Sequence, residues 1–432
     1  MTILIRNGLV VGPTGTQVTD LLIRDGVIAE VGTGLSAAGA EVIDATGCWV
    51  GPAFVDIHTH LREPGREAAE TIESGANAGV IGGYGALVAM PNTEPALDNV
   101  ALVSYVLAQG AKTRLDVAVA GAITVGRHGT ALAPIAEMAA LGVRLFTDDG
   151  TGVQNPALMR RALEYTAPLG VRLAQHCEDE ALAGGGSMNE GAVSARLGLI
   201  GRPALAEELM VMRDIELLRL TGGRLHFLHL STARSLALVN EARAQGLDVT
   251  SEIAPHHFTL SEEACEGFDS LFKVHPPLRT SSDVLALRGA LLDGTVDAVA
   301  TDHAPHTPEL KDLPFDEAPA GMLNLEHAAS LTFDVLRDNP VGFFNVLSRG
   351  PARIAQLRRE DHRVGLSAHG GALSVGEDAN IVIFNPNETW RVDKHQLASR
   401  ATNTPYHGRE LHGRVRSTIV RGSLVVNEGE LQ

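Results

Sequence analysis

The chain has 432 residues, 44% of them apolar and 20% charged, with a formal net charge of −17. That is enough apolar material for a large core, and it excludes a disordered or low-complexity chain. The acidic balance argues against a nucleic-acid partner, which needs a basic face, but leaves small molecules open because a local site can be positive on an acidic protein.

Three scattered cysteines, Cys48, Cys177 and Cys265, make neither a disulfide framework nor a Cys-based zinc module. They read as buried thiols in a reducing compartment. The N-terminus lacks a basic stretch followed by an apolar one, and no uncharged apolar run reaches membrane-spanning length. A cytoplasmic protein without a membrane partner is expected.

In chain order, residues 3–10, 20–32 and 40–52 read as short strands rich in Val and Ile. Asn7-Gly8 and Asp25-Gly26 carry hairpin signals. The same texture returns at 371–386 and 414–429, which predicts a small β-sandwich domain assembled from residues 1–52 and 366–432. The middle differs. Apolar stretches at 54–60, 85–90, 116–122, 143–148, 171–177, 224–231, 248–255 and 296–303 alternate with segments apolar at helical spacing. Eight strand–helix units predict a (β/α)₈ barrel over residues 53–365, longer than the usual 250 or so residues and therefore with room for inserted loops.

In such a barrel the working residues stand where the strands end. His58-Thr59-His60 closes the first strand, and the two-residue alternation of a strand lets both imidazoles reach one ion. Asp148-Asp149 ends the fourth strand, His176 the fifth, His229 the sixth and Asp302-His303 the eighth. Singly, each has an ordinary structural reading: a His-x-His pair is a weak signal, an Asp after a strand commonly caps a helix, and the acidic residues after His176 suit a helix start. Five strand ends carrying His or Asp together point to a metal centre. Imidazole and carboxylate without thiolate suit zinc, and six ligand side chains suit two ions, about 3.5–4 Å apart, rather than one four-coordinate ion.

These residues carry a resemblance. HTHLREPG (58–65) and ATDHAPH (300–306) resemble signatures of the dihydroorotase family within the amidohydrolase superfamily, as do AMPNTEP (89–95), FTDDG (146–150), HCED (176–179), HLST (229–232) and SRATNTPYHG (399–408). Related cyclic amidases bridge their metals with a carboxylated lysine on the fourth strand. Here no lysine lies between Lys112 and Lys273, and Asp148-Asp149 stands instead, as in the free-standing type I dihydroorotases of bacteria. The resemblance assigns the ligand to Asp149; strand alternation alone leaves Asp148 as its rival.

The resemblance implies reversible closure of N-carbamoyl-L-aspartate to L-dihydroorotate in pyrimidine biosynthesis. It implies two Zn²⁺ ions on His58, His60, Asp149, His176, His229 and Asp302, with Asp302 also the general base and acid. It further implies that His60, Arg62, Asn92, His275, His306, Ala320 and Gly321 contact an anionic small-molecule substrate, that the protein is a homodimer, and that association with a transcarbamoylase is open to it. Asn92 after Pro91 also reads as a turn residue, and His306 as a loop histidine. Two positions depart from the family pattern: His275 replaces the usual Asn, and Ala320 the usual Phe. One tautomer of histidine replaces only one of the two amide functions, and losing the aromatic removes contact area beside a ring. Two alternatives follow: another cyclic amidohydrolase, hydantoinase- or allantoinase-like, or a non-catalytic assembly partner. The absent lysine disfavours the first and the intact ligand set the second.

Overall fold

A computed structural model describes residues 2–361, 363 and 365–432. The chain opens with β1 (Thr2–Val11), β2 (Thr16–Arg24) and β3 (Val27–Gly32), paired antiparallel in succession. Asp25 and Gly26 (φ 51° and 84°) supply the two left-handed residues of a tight hairpin between β2 and β3. Asn7-Gly8 does not turn the chain. It lies inside β1, where Asn7 has φ 60° and the register with β2 skips from Ile5 to Gly8, so the pair forms a bulge. Packing decides this, since Asn7 N donates to Asp20 Oδ1 at 3.0 Å and a Cβ on Gly8 would stand 2.4 Å from Val50 Cγ2. β4 (Glu41–Asp44) and β5 (Trp49–Pro52) run parallel to β1.

Eight strands of the middle then form one parallel sheet. They are β6 (Phe54–Thr59), β7 (Tyr84–Ala89), β8 (Asp116–Gly121), β9 (Leu145–Thr147) and β10 (Arg172–Gln175). After an excursion containing the short pair β11 (Met188–Asn189) and β12 (Gly201–Arg202), β13 (Leu225–Phe227), β14 (Val249–Ile253) and β15 (Ala298–Val299) complete it. A parallel bridge between Thr59 and His303 joins the two edges into a barrel. Asp56 fastens the same seam, accepting from His58 N at 3.2 Å and Thr301 N at 3.0 Å.

Alternation along the strands sorts the side chains into two layers. Val55, Ile57, Ala86, Val88, Ala118, Ala120, Ala174 and Ala298 fill the interior. Phe54, Leu87, Val117, Val119, Phe146, Leu173 and Phe227 face outward under the helices. Those helices begin where the sequence supplies caps: Thr71, Asn99, Asn155, Thr232 and Thr280 each accept a first-turn backbone N–H.

The last strands are β16 (Ile381–Arg391), β17 (Glu410–Val420), β18 (Ser423–Asn427) and β19 (Glu430–Leu431). β5 pairs with β1 on one edge and β16 on the other, so both chain ends build one nine-stranded sheet. That sheet has its own core, including Ile3, Ile23, Ile43, Val50 and Ile383. Trp49, Phe54, Phe333, Phe343 and Phe384 stack at its junction with the barrel, with ring centroids 5.0–5.9 Å apart. Among the described residues no helix is long and apolar enough to cross a membrane.

Candidate active site

The strand ends converge as barrel geometry requires. His58 lies in β6 and His60 just past it; Asp149, His176, His229 and Asp302 follow β9, β10, β13 and β15. Asp149 stands at the middle. Its Oδ1 lies 3.4 Å from His58 Nε2, 3.5 Å from His176 Nδ1 and 3.6 Å from His229 Nε2, while Oδ2 lies 3.6 Å from His60 Nε2. Asp302 Oδ1 is 3.1 Å from His60 Nε2 and 3.6 Å from His58 Nε2. All six side chains are buried.

Asp148, the neighbour of Asp149, faces the other way. Its carboxylate accepts from Ile123 N at 2.9 Å and Thr124 N at 3.0 Å, and from the Thr124 hydroxyl, so it pins the loop after β8.

A divalent cation fits this donor set. His58 Nε2 is buried without a hydrogen-bond partner, although carboxylate oxygens of Asp149 and Asp302 face it. Two triads, His58–Asp149–His229 and His58–His60–Asp302, hold their ligating atoms within 4.8 Å of one another. Imidazole and carboxylate donors of this kind suit zinc among the divalent metals.

Electrostatics keeps the carboxylates ionised. Burial by itself raises Asp149, but the charge of His58 and hydrogen bonds from His176 and His229 hold it well below the usual carboxylate range. Asp302 behaves alike: burial opposes ionisation, and the hydrogen bond from His60 with the charge of His58 brings it down.

Two buried carboxylates with no role assigned from the sequence, together with Asn92, hold the ligands in place. Glu252, on β14, accepts from His58 Nδ1 at 2.7 Å and meets His226 Nε2 at 3.0 Å. Glu178 meets His176 Nε2 at 3.2 Å and Arg202 Nη1 at 3.0 Å. Asn92, expected at the substrate, also spans two ligands: its Oδ1 is 2.8 Å from His60 Nδ1, and its Nδ2 donates to Asp149 Oδ2 at 3.2 Å. Carboxylate or amide partners of this sort fix the tautomer and tilt of a ligand imidazole. A lone Glu inside an apolar strand, as in SEI at 251–253, was the available signal for Glu252. Asp179, next to Glu178, is the N-cap of the helix Glu180–Ala183, its ordinary reading.

A cavity of about 360 Å³ opens above the cluster, lined by His60, Arg62, Asn92, His275, His306, Ala320 and Gly321 among others. Arg62 reaches it by a route other than strand alternation. β6 ends at Thr59, and Arg62 takes a left-handed backbone (φ 61°) that turns its guanidinium to Pro305 O, 3.0 Å from Nε. His306 Nε2 is 3.4 Å from Arg62 Nη2 and 2.8 Å from Ala320 O. Lys311 braces the same wall, its Nζ donating to Pro319 O at 2.9 Å and Gly321 O at 3.2 Å. Gly321 (φ 135°) cannot be replaced without strain, since a Cβ would stand 2.6 Å from Ala304 Cβ and 2.9 Å from His306 Nε2. His275 Nδ1 is buried without a partner. Burial, opposed by Glu178 and aided by the cations Arg202 and Lys273, brings its imidazole down to about 3, so it presents a neutral ring.

Comparison with known proteins gives the arrangement its class. A D-hydantoinase (dihydropyrimidinase) from Thermus sp. superposes with a TM-score of 0.83 at 25% identity, over 100% of this chain and 96% of that one. A barrel of this form, with His and Asp gathered at its C-terminal end, defines a cyclic amide hydrolase. A family model described as dihydro-orotase-like matches residues 47–235. A dihydroorotase of Pelotomaculum thermopropionicum is 46% identical over 99% of each chain. One of Streptomyces coelicolor is 44% identical over 96% of this chain and 97% of its own. The chain belongs to the dihydroorotase family.

Proposed function

We propose that this protein interconverts N-carbamoyl-L-aspartate and L-dihydroorotate in pyrimidine biosynthesis. The observation carrying this reading is Asp149 ringed by four imidazoles, with Arg62, Asn92 and His306 on the wall above. We read residues 53–365 as the catalytic unit and 1–52 with 366–432 as its companion.

His58, His60, Asp149, His176, His229 and Asp302 would hold two zinc ions per chain, which would supply an activated water and polarise the ring carbonyl. Asp302 is the proton carrier. With its carboxylate held ionised, it takes the proton of the attacking water and delivers it to the ring nitrogen as the C–N bond breaks. Arg62 offers a guanidinium fork to the substrate carboxylate, supported by His306. Asn92 keeps His60 and Asp149 in register while lining the same cavity. Neutral His275 and the gap at Ala320 shape the wall against the ring.

The test is ring opening of dihydroorotate by zinc-loaded protein, with hydantoin and allantoin assayed in parallel. Turnover of dihydroorotate alone supports the reading. Turnover of hydantoin or allantoin in its place would reassign the substrate to His275 and Ala320, the positions that depart from the family pattern.

A further inference from the structure

Four arginines line the cavity above the cluster: Arg62, Arg66, Arg127 and Arg202. Arg202 is paired with Glu178 at 3.0 Å, and Arg66 faces Glu94 at 3.5 Å. Among the described residues, Arg62 and Arg127 have no carboxylate at ion-pair distance. Arg62 at least donates to Pro305 O. The Arg127 guanidinium donates no hydrogen bond, and its Nε is buried without a partner. Arg127 is half-buried and its guanidinium is uncommitted among the described residues, so its Nη atoms are open to a ligand in the cavity.

The backbone is shaped to present this residue. Gly126 and Arg127 both adopt left-handed conformations, φ 58° and 60°, and for Arg127 that is strained. The loop is tied down at each side: Gly126 N donates to Asp98 Oδ2 at 2.8 Å, Arg127 N to Thr124 O at 3.0 Å, and Gly129 N to Thr124 Oγ1 at 3.0 Å. The head lands beside the metal-ligand wall. Measured from an ideal Cβ on Gly150, Arg127 Nη2 is 3.8 Å away and Asn92 Nδ2 is 3.7 Å away. Arg62 instead reaches Pro305 O at 3.0 Å and His306 Nε2 at 3.4 Å, on the wall that follows the eighth strand. The two uncommitted guanidinium groups therefore flank the site from different sides.

Resting on the function proposed above, the substrate chemistry gives this pair a use. Ring opening adds water across the amide: the C–N bond breaks, oxygen joins the carbonyl carbon, hydrogen goes to nitrogen, and the new acid ionises. The ring form carries one carboxylate and the open form two. We propose that Arg127 binds the carboxylate present only in the open form, while Arg62 holds the carboxylate common to both. Arg127 is thereby a residue that distinguishes N-carbamoyl-L-aspartate from dihydroorotate.

Steady-state kinetics of Arg127→Met and Arg127→Lys in both directions test this. In Arg127→Met the KM for N-carbamoyl-L-aspartate rises roughly tenfold or more, the scale of one lost charge-assisted hydrogen bond, and the KM for dihydroorotate stays within about twofold. The equilibrium constant is untouched by mutation, so kcat/KM changes by the same factor in both directions: a contact already made in the transition state lowers the kcat for ring opening, and one made only in the open form raises the kcat for ring closure instead. Arg127→Lys, which keeps the charge, recovers part of the loss. Equal KM changes for both compounds, or none for either, overturn the proposal. A wild-type chain inactive on both compounds would overturn the functional reading itself, and this proposal with it. Matched melting temperatures of the three proteins separate a binding loss from misfolding.

Discussion

Cavities open at both ends of the barrel, about 360 Å³ beyond the C-terminal ends of the strands and about 550 Å³ at the opposite end. The larger is lined by Pro52, Val296 and Asp297, which precede the first and eighth barrel strands, and by four arginines. Each of those arginines has a partner within the fold: Arg353 pairs with Asp297 at 2.7 Å and Arg358 with Glu360 at 2.9 Å, while Arg349 and Arg359 donate to Val11 O and Gly376 O, although Arg349 Nε and Arg358 Nε are buried without one. At the smaller cavity Asp149 faces four imidazoles and His58 Nε2 has no partner, and the larger cavity has no such cluster among its described lining residues. Gathered imidazoles and carboxylates, more than volume, separate a working site from a structural gap.

The largest effect expected at the C-terminal end is that of Asp302→Asn. Loss of a general base lowers kcat by about 10²–10⁴-fold, and loss of a ligand oxygen adds to this. Zinc content and a thermal melt, measured alongside, tell whether the fold survives; retained turnover would remove Asp302 from the chemistry. Glu252→Gln comes next. It weakens the hold on His58 without touching substrate, so zinc affinity or activity falls about 10–100-fold, readable by chelator competition. At the opposite end the pattern inverts. Asp297 accepts from Arg243, Arg353 and Ser251 N, so Asp297→Asn is expected to cost about 1–3 kcal/mol of unfolding free energy while leaving kcat/KM within about twofold. A large loss of activity there would break the contrast between the two ends.

A last effect, seen only at acid pH, belongs to neither cavity. His327 stacks on Trp390 with centroids 6.1 Å apart, and burial brings its imidazole down to about 4. Its folded value lies below its unfolded one, so the unfolded chain binds the extra proton. Stability is then intact above about pH 6.5 and declines toward pH 4, by at most about 1.4 kcal/mol per pH unit from this group. Melting curves across that range should flatten in His327→Phe.

The barrel strands were legible in the sequence because they are short segments buried on both faces, most of them apolar, alternating with segments apolar at helical spacing. The six clustered His and Asp residues were legible for the same reason, since strand ends meet in a barrel. Asn7-Gly8 misled because a left-handed pair serves a bulge as well as a hairpin, and contacts with Asp20 and Val50 lie too far along the chain to weigh locally. Glu252 and Glu178 gave little signal: their importance lies in which imidazole they meet, a contact made across strands or at a turn. Arg127 was silent because an exposed-looking Gly-Arg-His loop gives no hint that its guanidinium comes to the cavity wall beside Gly150. The choice between Asp148 and Asp149 likewise needed coordinates, where Asp148 caps the loop at Ile123 and Thr124.

If the His and Asp cluster is a catalytic metal centre, its metal content and its turnover move together. The most direct test is elemental analysis of the purified protein, paired with dihydroorotate turnover as metal is stripped by chelator and restored with zinc. Two zinc ions per chain are expected, with activity lost and regained in step with them and zinc reduced in Asp149→Asn. Full turnover in metal-stripped protein, or zinc content unaffected by Asp149→Asn, would contradict it.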